Sequence, residues 1–269
     1  MTPEYKLIAI DLDGTLLDDQ KNIPEKNIKA IQRAVSQGVH VMLATGRPYR
    51  AAQWVFERLG ISEGLILSQA GGLVSTYPEC RTVYSGRHDP AFVRELAQFC
   101  GEHQLFFHCM AISDYYFLHD GPMADLTARY FGYRGIETTL ENMLQMDFGK
   151  ANVITPAEIT PSAAKLLKER FGGRVEIAVS DACVIDLTPL GVDKSSALLA
   201  AAEALGVRQE QIIAIGDTDN DTPMIRTAGL GVCMENGVEG AKAAADYIAP
   251  SNNEAGVAHV IEKFIFDRR

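Results

Sequence analysis

The sequence predicts a doubly wound α/β core, built on a parallel sheet and carrying an inserted α+β domain. Two observations predict the core: short, continuously apolar runs recur at both ends of the chain, and helical stretches separate them. A third predicts the insertion. Between residues 84 and 187 the texture changes, with Phe106, Phe107, Tyr115, Tyr116 and Phe117 and four of the six histidines lying there.

Leu7-Ile8-Ala9-Ile10 is continuous rather than alternating, which suits a strand buried on both faces. Pro24 suits the first turn of a helix, Ile28, Ile31, Ala34 and Val35 fall on one helical face, and Gly38 stops it. Val39 to Ala44 is the next strand, broken by Thr45-Gly46-Arg47-Pro48. Strand, crossover helix and strand imply a parallel, right-handed unit. A helix from Tyr49 to Leu59 and a strand at Leu65-Ile66-Leu67 continue the pattern. It returns as an Ala/Leu-rich helix from Lys194 to Leu205, closed by Gly206, and a buried strand, Ile212 to Ile215. A helix near Pro223 to Thr227, short strands around Gly231–Cys233 and Tyr247–Ala249, and a final helix complete it. Strand candidates in the middle, Asp114 to His119 and Val175 to Val179, are more mixed. The expected division is a core of residues 1–83 and 188–269 around a cap of residues 84–187.

The 269 residues carry 47% hydrophobic and 22% charged side chains and a formal net charge of -10, a composition that fits a globular protein with a sizeable core. No Lys/Arg stripe suggests nucleic acid as a partner, and the acidic balance disfavours anionic membranes. No apolar run approaches the ~20 residues that span a bilayer, and Met1-Thr2-Pro3-Glu4-Tyr5-Lys6 does not read as a secretory leader. Five scattered cysteines without a Cys-x-x-Cys pair argue against a zinc site or a disulfide framework. A cytoplasmic monomer or homodimer is the expectation.

Four segments carry the chemistry. Asp11-Leu12-Asp13-Gly14-Thr15 follows the first strand, Thr45-Gly46-Arg47 the second, Lys194 opens a helix, and Gly216-Asp217-Thr218-Asp219-Asn220-Asp221 follows a late strand. Ligands of open α/β sheets sit outside the carboxyl ends of the strands, so segments 200 residues apart can converge. Asp11, Asp13, Asp217 and Asp221 would repel one another unless cations compensated them. Lys194 supplies one charge. Oxygen-only ligands, without a His or Cys motif, favour Mg²⁺ over Zn²⁺ for the rest. A metal, a lysine, a threonine hydroxyl and backbone amides around one point suit a phosphoryl group.

These residues resemble the haloacid dehalogenase superfamily, and within it the Cof-type phosphatases, whose large cap is inserted between the second and third motifs. The resemblance covers essentially the whole chain, with all four motifs in order. It implies that Asp11 is the nucleophile and that Asp13 protonates the leaving oxygen and then activates water. Thr15 would orient Asp13, Thr45 and the Gly46 amide would hold phosphate oxygens, and Lys194 would neutralise charge. It implies a Mg²⁺ site of Asp11, Asp217 and the Asp13 backbone carbonyl. Asn220 would contact phosphate, and Asp221 would steady the metal shell or Lys194. Arg47 is a substrate-contact candidate, although a structural ion pair explains it equally well.

Taken singly, Asp-x-Asp-Gly-Thr could be an ordinary acidic turn, and Thr45 or Lys194 a cap or surface residue. Four ordered motifs outweigh that. Asp219 reads as a solvated loop residue, and the cap histidines show no metal-ligand spacing. Two positions depart from the family pattern: Gln69-Ala70 where members often have Asn-Gly, and Ser195 where Gly is usual. The expected activity is Mg²⁺-dependent hydrolysis of small phosphorylated metabolites, either sugar phosphates or phosphorylated cofactors. A phosphotransferase or mutase, and a non-catalytic sensor of phosphorylated metabolites, are the competing readings.

Overall fold

The computed structural model describes residues 5–267. Residues 1–4, on which the reading of the leader rests, and residues 268–269 of the expected core lie outside that range. In chain order the strands are β1 (Leu7–Asp11), β2 (His40–Ala44), β3 (Gly64–Ser68), β4 (Leu73–Tyr77), β5 (Thr82–Ser85), β6 (Phe106–Met110) and β7 (Tyr115–Phe117). They continue with β8 (Ile136–Glu137), β9 (Lys150–Ile154), β10 (Val175–Asp181), β11 (Val184–Pro189), β12 (Ile212–Gly216), β13 (Leu230–Met234) and β14 (Tyr247–Ala249).

The chain forms two compact units. The first takes residues 5–46, 52–84 and 193–267, and the second takes 47–51 and 85–192. The first holds an eight-stranded sheet in the order β14-β13-β12-β1-β2-β3-β4-β5. Its strands from β14 to β3 are parallel. β1 is buried along its whole length because side chains pack on both of its faces. On one face Leu7, Ala9, Met42, Ala44, Leu65 and Leu67 meet Ala197, Leu198, Ala201 and Ala202 of helix Lys194–Ala204.

The sheet ends in a part that the apolar runs did not reveal: β4 pairs antiparallel with β3, and β5 lies beyond it. The helix expected over Tyr49–Leu59 is two short helices, Tyr49–Ala52 and Trp54–Leu59. Gln53 between them keeps helical φ/ψ, so the interruption lies in the hydrogen bonding and not in the path of the chain.

The second unit has a six-stranded sheet, β10-β11-β9-β6-β7-β8. One face packs on helices Pro90–Glu102 and Thr160–Phe171 through Leu96, Phe99, Cys109, Val153, Leu167 and Phe171. No helix among the described residues is long and apolar enough to cross a membrane.

Candidate active site

Register decides what meets at the carboxyl edge of the parallel sheet. Asp11 lies opposite Ala44, and Ile10 lies opposite Ile215. The loops that begin at Asp11, Thr45 and Asp217 therefore leave three adjacent strands at one level, with strands ~4.8 Å apart. Asp11 and Asp217 are each 7% exposed, and Thr45 2%.

Lys194 arrives from the other direction. Asp193 caps its helix, accepting from the Ser196 amide at 2.8 Å, while the Ser196 hydroxyl reaches back to the cap. That capping box fixes the first helical residue, Lys194. Its Nζ lies 2.6 Å from Asp11 Oδ1 and 2.5 Å from Asp221 Oδ1. Burial opposes the ammonium charge, but the two carboxylates outweigh burial and hold the lysine pKa above its ordinary range.

Asp221 is fully engaged. Its Oδ2 accepts the Asp217 and Thr218 amides, both at 3.0 Å, and the Thr218 hydroxyl at 3.1 Å. It thus fastens the loop and Lys194, and leaves Asp11 and Asp217 as the carboxylates better placed for a ligand. A Cβ on Gly216 would lie 2.4 Å from Asp221 Cβ, so glycine is required for this approach.

Asp217 differs from expectation in one partner: the Thr15 hydroxyl donates to its Oδ1 at 2.8 Å. Thr15 therefore gives its hydroxyl proton to Asp217, where Asp13 was the expected partner. Gly14, at φ +83, turns the chain between them, and a Cβ there would meet Asp217 Oδ2 at 2.4 Å. Asp13 is half-buried, and Lys21 Nζ donates to its Oδ1 at 2.8 Å.

One ligand atom from each of Asp11, Asp217 and Asp221 lies within 4.8 Å of the others. The crowding has an electrostatic cost. Burial, then Asp221, raises the Asp11 pKa well above the ordinary carboxylate range against the pull of Lys194. Burial also pushes Asp217 up to about 6, with Asp221 adding to it and the Thr15 hydrogen bond opposing. Three carboxylates facing one ammonium make a site that a divalent cation would relieve, and an all-oxygen donor set suits a hard ion.

Gly46 is half-buried at the turn after β2. Asn220 is exposed, and its amide oxygen lies 3.0 Å from the Thr218 hydroxyl, competing with Asp221 Oδ2 for that hydroxyl's one proton. Arg47 falls in the 47–51 stretch that belongs to the second unit. Asp219 is exposed, as a solvated loop residue should be. Ser195 pairs its hydroxyl with Thr227 at 2.7 Å, which ties its helix to Thr222–Thr227.

The other departure is a strained turn. Gln69 (φ 58), Ala70 (φ 56) and Gly71 (φ 109) follow β3 in succession with positive φ. The Ala70 amide donates to the Thr45 carbonyl at 3.0 Å, and a Cβ on Gly71 would lie 2.1 Å from the Asp193 carbonyl. The turn thus links Thr45 to the cap of the Lys194 helix. An L-residue in this region costs ~1–2 kcal/mol, while glycine adds unfolded-state entropy worth ~0.4–1 kcal/mol. Ala70→Gly is therefore expected to stabilise the protein by ~0.5–1 kcal/mol, read as a higher urea midpoint with unchanged slope. A lower midpoint would contradict the left-handed assignment.

Residues 8–261 match the family model of the haloacid dehalogenase-like hydrolases. The chain is 29% identical over 268 residues to the Bacillus subtilis 5-amino-6-(5-phospho-D-ribitylamino)uracil phosphatase, an alignment covering 97% of this chain and 96% of that one. A haloacid dehalogenase-like hydrolase from Bacteroides thetaiotaomicron superposes with a TM-score of 0.87 at 31% identity, over 96% of this chain and 99% of that one. A Thermotoga maritima structure gives 0.88 at 27% identity, over 98% of both chains.

Proposed function

The chain belongs to the haloacid dehalogenase-like hydrolases, as a Cof-type phosphoric monoester hydrolase, and we propose that it cleaves small phosphorylated metabolites through a phosphorylated Asp11. Sugar phosphates and phosphorylated cofactors or their precursors are the substrate class. The observation that carries this reading is Lys194 Nζ at 2.6 Å from the buried Asp11 carboxylate. A nucleophile must be ionised, and the adjacent ammonium favours that form of a carboxyl whose burial disfavours it.

In the first step an Asp11 oxygen bonds to phosphorus as the bond to the leaving oxygen breaks, and Asp13 gives that oxygen its proton. In the second step water attacks phosphorus, Asp13 takes the water proton, and the Asp11–phosphorus bond breaks to release inorganic phosphate. Thr45 and the Gly46 amide hold phosphoryl oxygens, Asn220 adds a contact, and Lys194 neutralises charge as it moves from nucleophile to phosphoryl group. Asp221 keeps Lys194 and the loop at Asp217 in place. Mg²⁺ held by Asp11, Asp217 and the Asp13 backbone carbonyl would supply the positive charge that these carboxylates and a phosphate both need.

The test is phosphate release from a panel of sugar phosphates, flavin and pyridoxal phosphates, and the phosphorylated ribitylaminouracil on which the B. subtilis relative acts. Release from at least one member, lost on chelation and restored by Mg²⁺, is expected. Inertness across the panel with Mg²⁺ present would count against hydrolysis. Appearance of a new phosphate ester without free phosphate would favour transfer.

A further inference from the structure

We propose that Lys21 is a positioning residue for Asp13, and that it matters most for substrates with poor leaving groups; this rests on Asp13 acting as the acid. Lys21 Nζ donates to Asp13 Oδ1 at 2.8 Å. The pair is open to solvent, at 60% and 39% side-chain exposure. Such pairs are worth little to stability, so stability gives no reason for the care with which this one is built.

The care shows in the loop. Lys21 has φ 63, a left-handed conformation that Gly or Asn adopts more cheaply than lysine. Asp18 closes the turn around it: its Oδ1 accepts the Gln20 and Asn22 amides at 2.9 and 2.8 Å, and its carbonyl accepts the Lys21 amide at 2.9 Å. Asp19 bolts the turn to a distant part of the chain. Its carboxylate accepts from Asn252 Nδ2 at 3.1 Å and Asn253 Nδ2 at 2.9 Å, and its amide donates to Asn253 Oδ1 at 3.2 Å. Asn252 is itself buried and also donates to the Leu17 carbonyl at 3.0 Å. At the other end Asp13 bridges to Leu17 through the backbone.

The Lys21 ammonium holds Asp13 Oδ1, so the proton that Asp13 delivers as the acid is carried on Oδ2. Strain kept in an exposed loop beside chemistry is more often functional than accidental. A general acid must sit within hydrogen-bond reach of the leaving oxygen. An alkoxide leaving group needs that proton, whereas a nitrophenolate leaves without it.

The experiment compares kcat/KM for p-nitrophenyl phosphate and for the best alkyl phosphate of the wild type, since kcat/KM reports steps only through formation of phosphorylated Asp11. Variants are Lys21→Met, Lys21→Arg and Asp13→Asn. Lys21→Met is expected to lower the alkyl-to-aryl ratio about fivefold, the ~1 kcal/mol an exposed ion pair can reach, with an unchanged melting temperature. Lys21→Arg is expected to recover most of it. An equal fall on both esters, or no fall on either, overturns the proposal. If Asp13→Asn leaves the alkyl rate unchanged, the acid role of Asp13 fails and takes the proposal with it. If Asp13→Asn abolishes the alkyl rate while Lys21→Met leaves the ratio intact, only Lys21 is wrong.

Discussion

Asp11→Asn is expected to abolish turnover, by at least ~10⁴-fold in kcat, while leaving a protein that is more stable than the wild type in the absence of metal. The first part follows from the proposed role of Asp11, because a neutral amide oxygen is too weak a nucleophile to replace the carboxylate. The second follows from the charges. The folded Asp11 pKa is raised by burial, then by Asp221 and Asp217, and Lys194 only partly offsets them. A carboxyl with a raised folded pKa releases its proton more easily in the unfolded chain. The folded state therefore loses stability as pH rises above the ordinary carboxylate value of ~3.9. Asparagine has nearly the same shape and no charge, so it escapes that loss. Chelated samples should show a melting temperature for Asp11→Asn above wild type at pH 7.5, with the gap narrowing toward pH 4. A variant that melts below wild type at pH 7.5 would mean that Lys194 over-compensates Asp11. Residual turnover within tenfold of wild type would mean that Asp11 is not the nucleophile.

Local features of the sequence foretold most of this site's framework. Leu7 to Ile10 had to be a buried strand, and an acidic turn directly after it had to emerge at the sheet edge. The same holds for Thr45 after β2 and Asp217 after β12. With Lys194 at the start of its helix, Asp11, Asp217 and Asp221 come together in the structure. Partner choice was not legible. Thr15 sits two residues from Asp13 yet donates to Asp217, 202 residues away. Asn236 reaches the Gly14 carbonyl at 2.8 Å across 222 residues, and nothing in its neighbourhood signals this. Lys21 reads as one more surface charge until its φ and the Asp18 and Asp19 hydrogen bonds are known. The antiparallel edge at β4 was missed because Leu73-Val74-Ser75-Thr76-Tyr77 is neither continuously apolar nor alternating. Periodicity reports burial. It does not report which of several nearby acceptors a loop hydroxyl or ammonium will meet.

Lys194→Met is expected to be the most destabilising single change at the site. The lysine side chain is 1% exposed, and its two partners, Asp11 and Asp221, are 10% and 0% exposed. Removing one member of a buried ion pair leaves the other charge uncompensated, typically at a cost of ~3–5 kcal/mol. Here the removal leaves two carboxylates, with Asp217 beside them. The loss should be read by urea denaturation in chelator at pH 7.5. It should shrink at pH 5, where Asp11, whose pKa burial already raises, holds its proton in the folded state. An exposed pair sets the scale for comparison. Lys165 lies 3.9 Å from Glu169 with 79% and 61% exposure, and Lys165→Met should change stability by no more than ~0.5 kcal/mol. The same deletion of an ammonium thus separates by several kcal/mol according to burial alone. Activity should fall as well, by at least ~10²-fold, because a preorganised charge beside the phosphoryl group is lost. If Lys194→Met denatures within ~1 kcal/mol of wild type at pH 7.5, the carboxylates must already share protons in the native protein. Asp11 would then not be held ionised by Lys194.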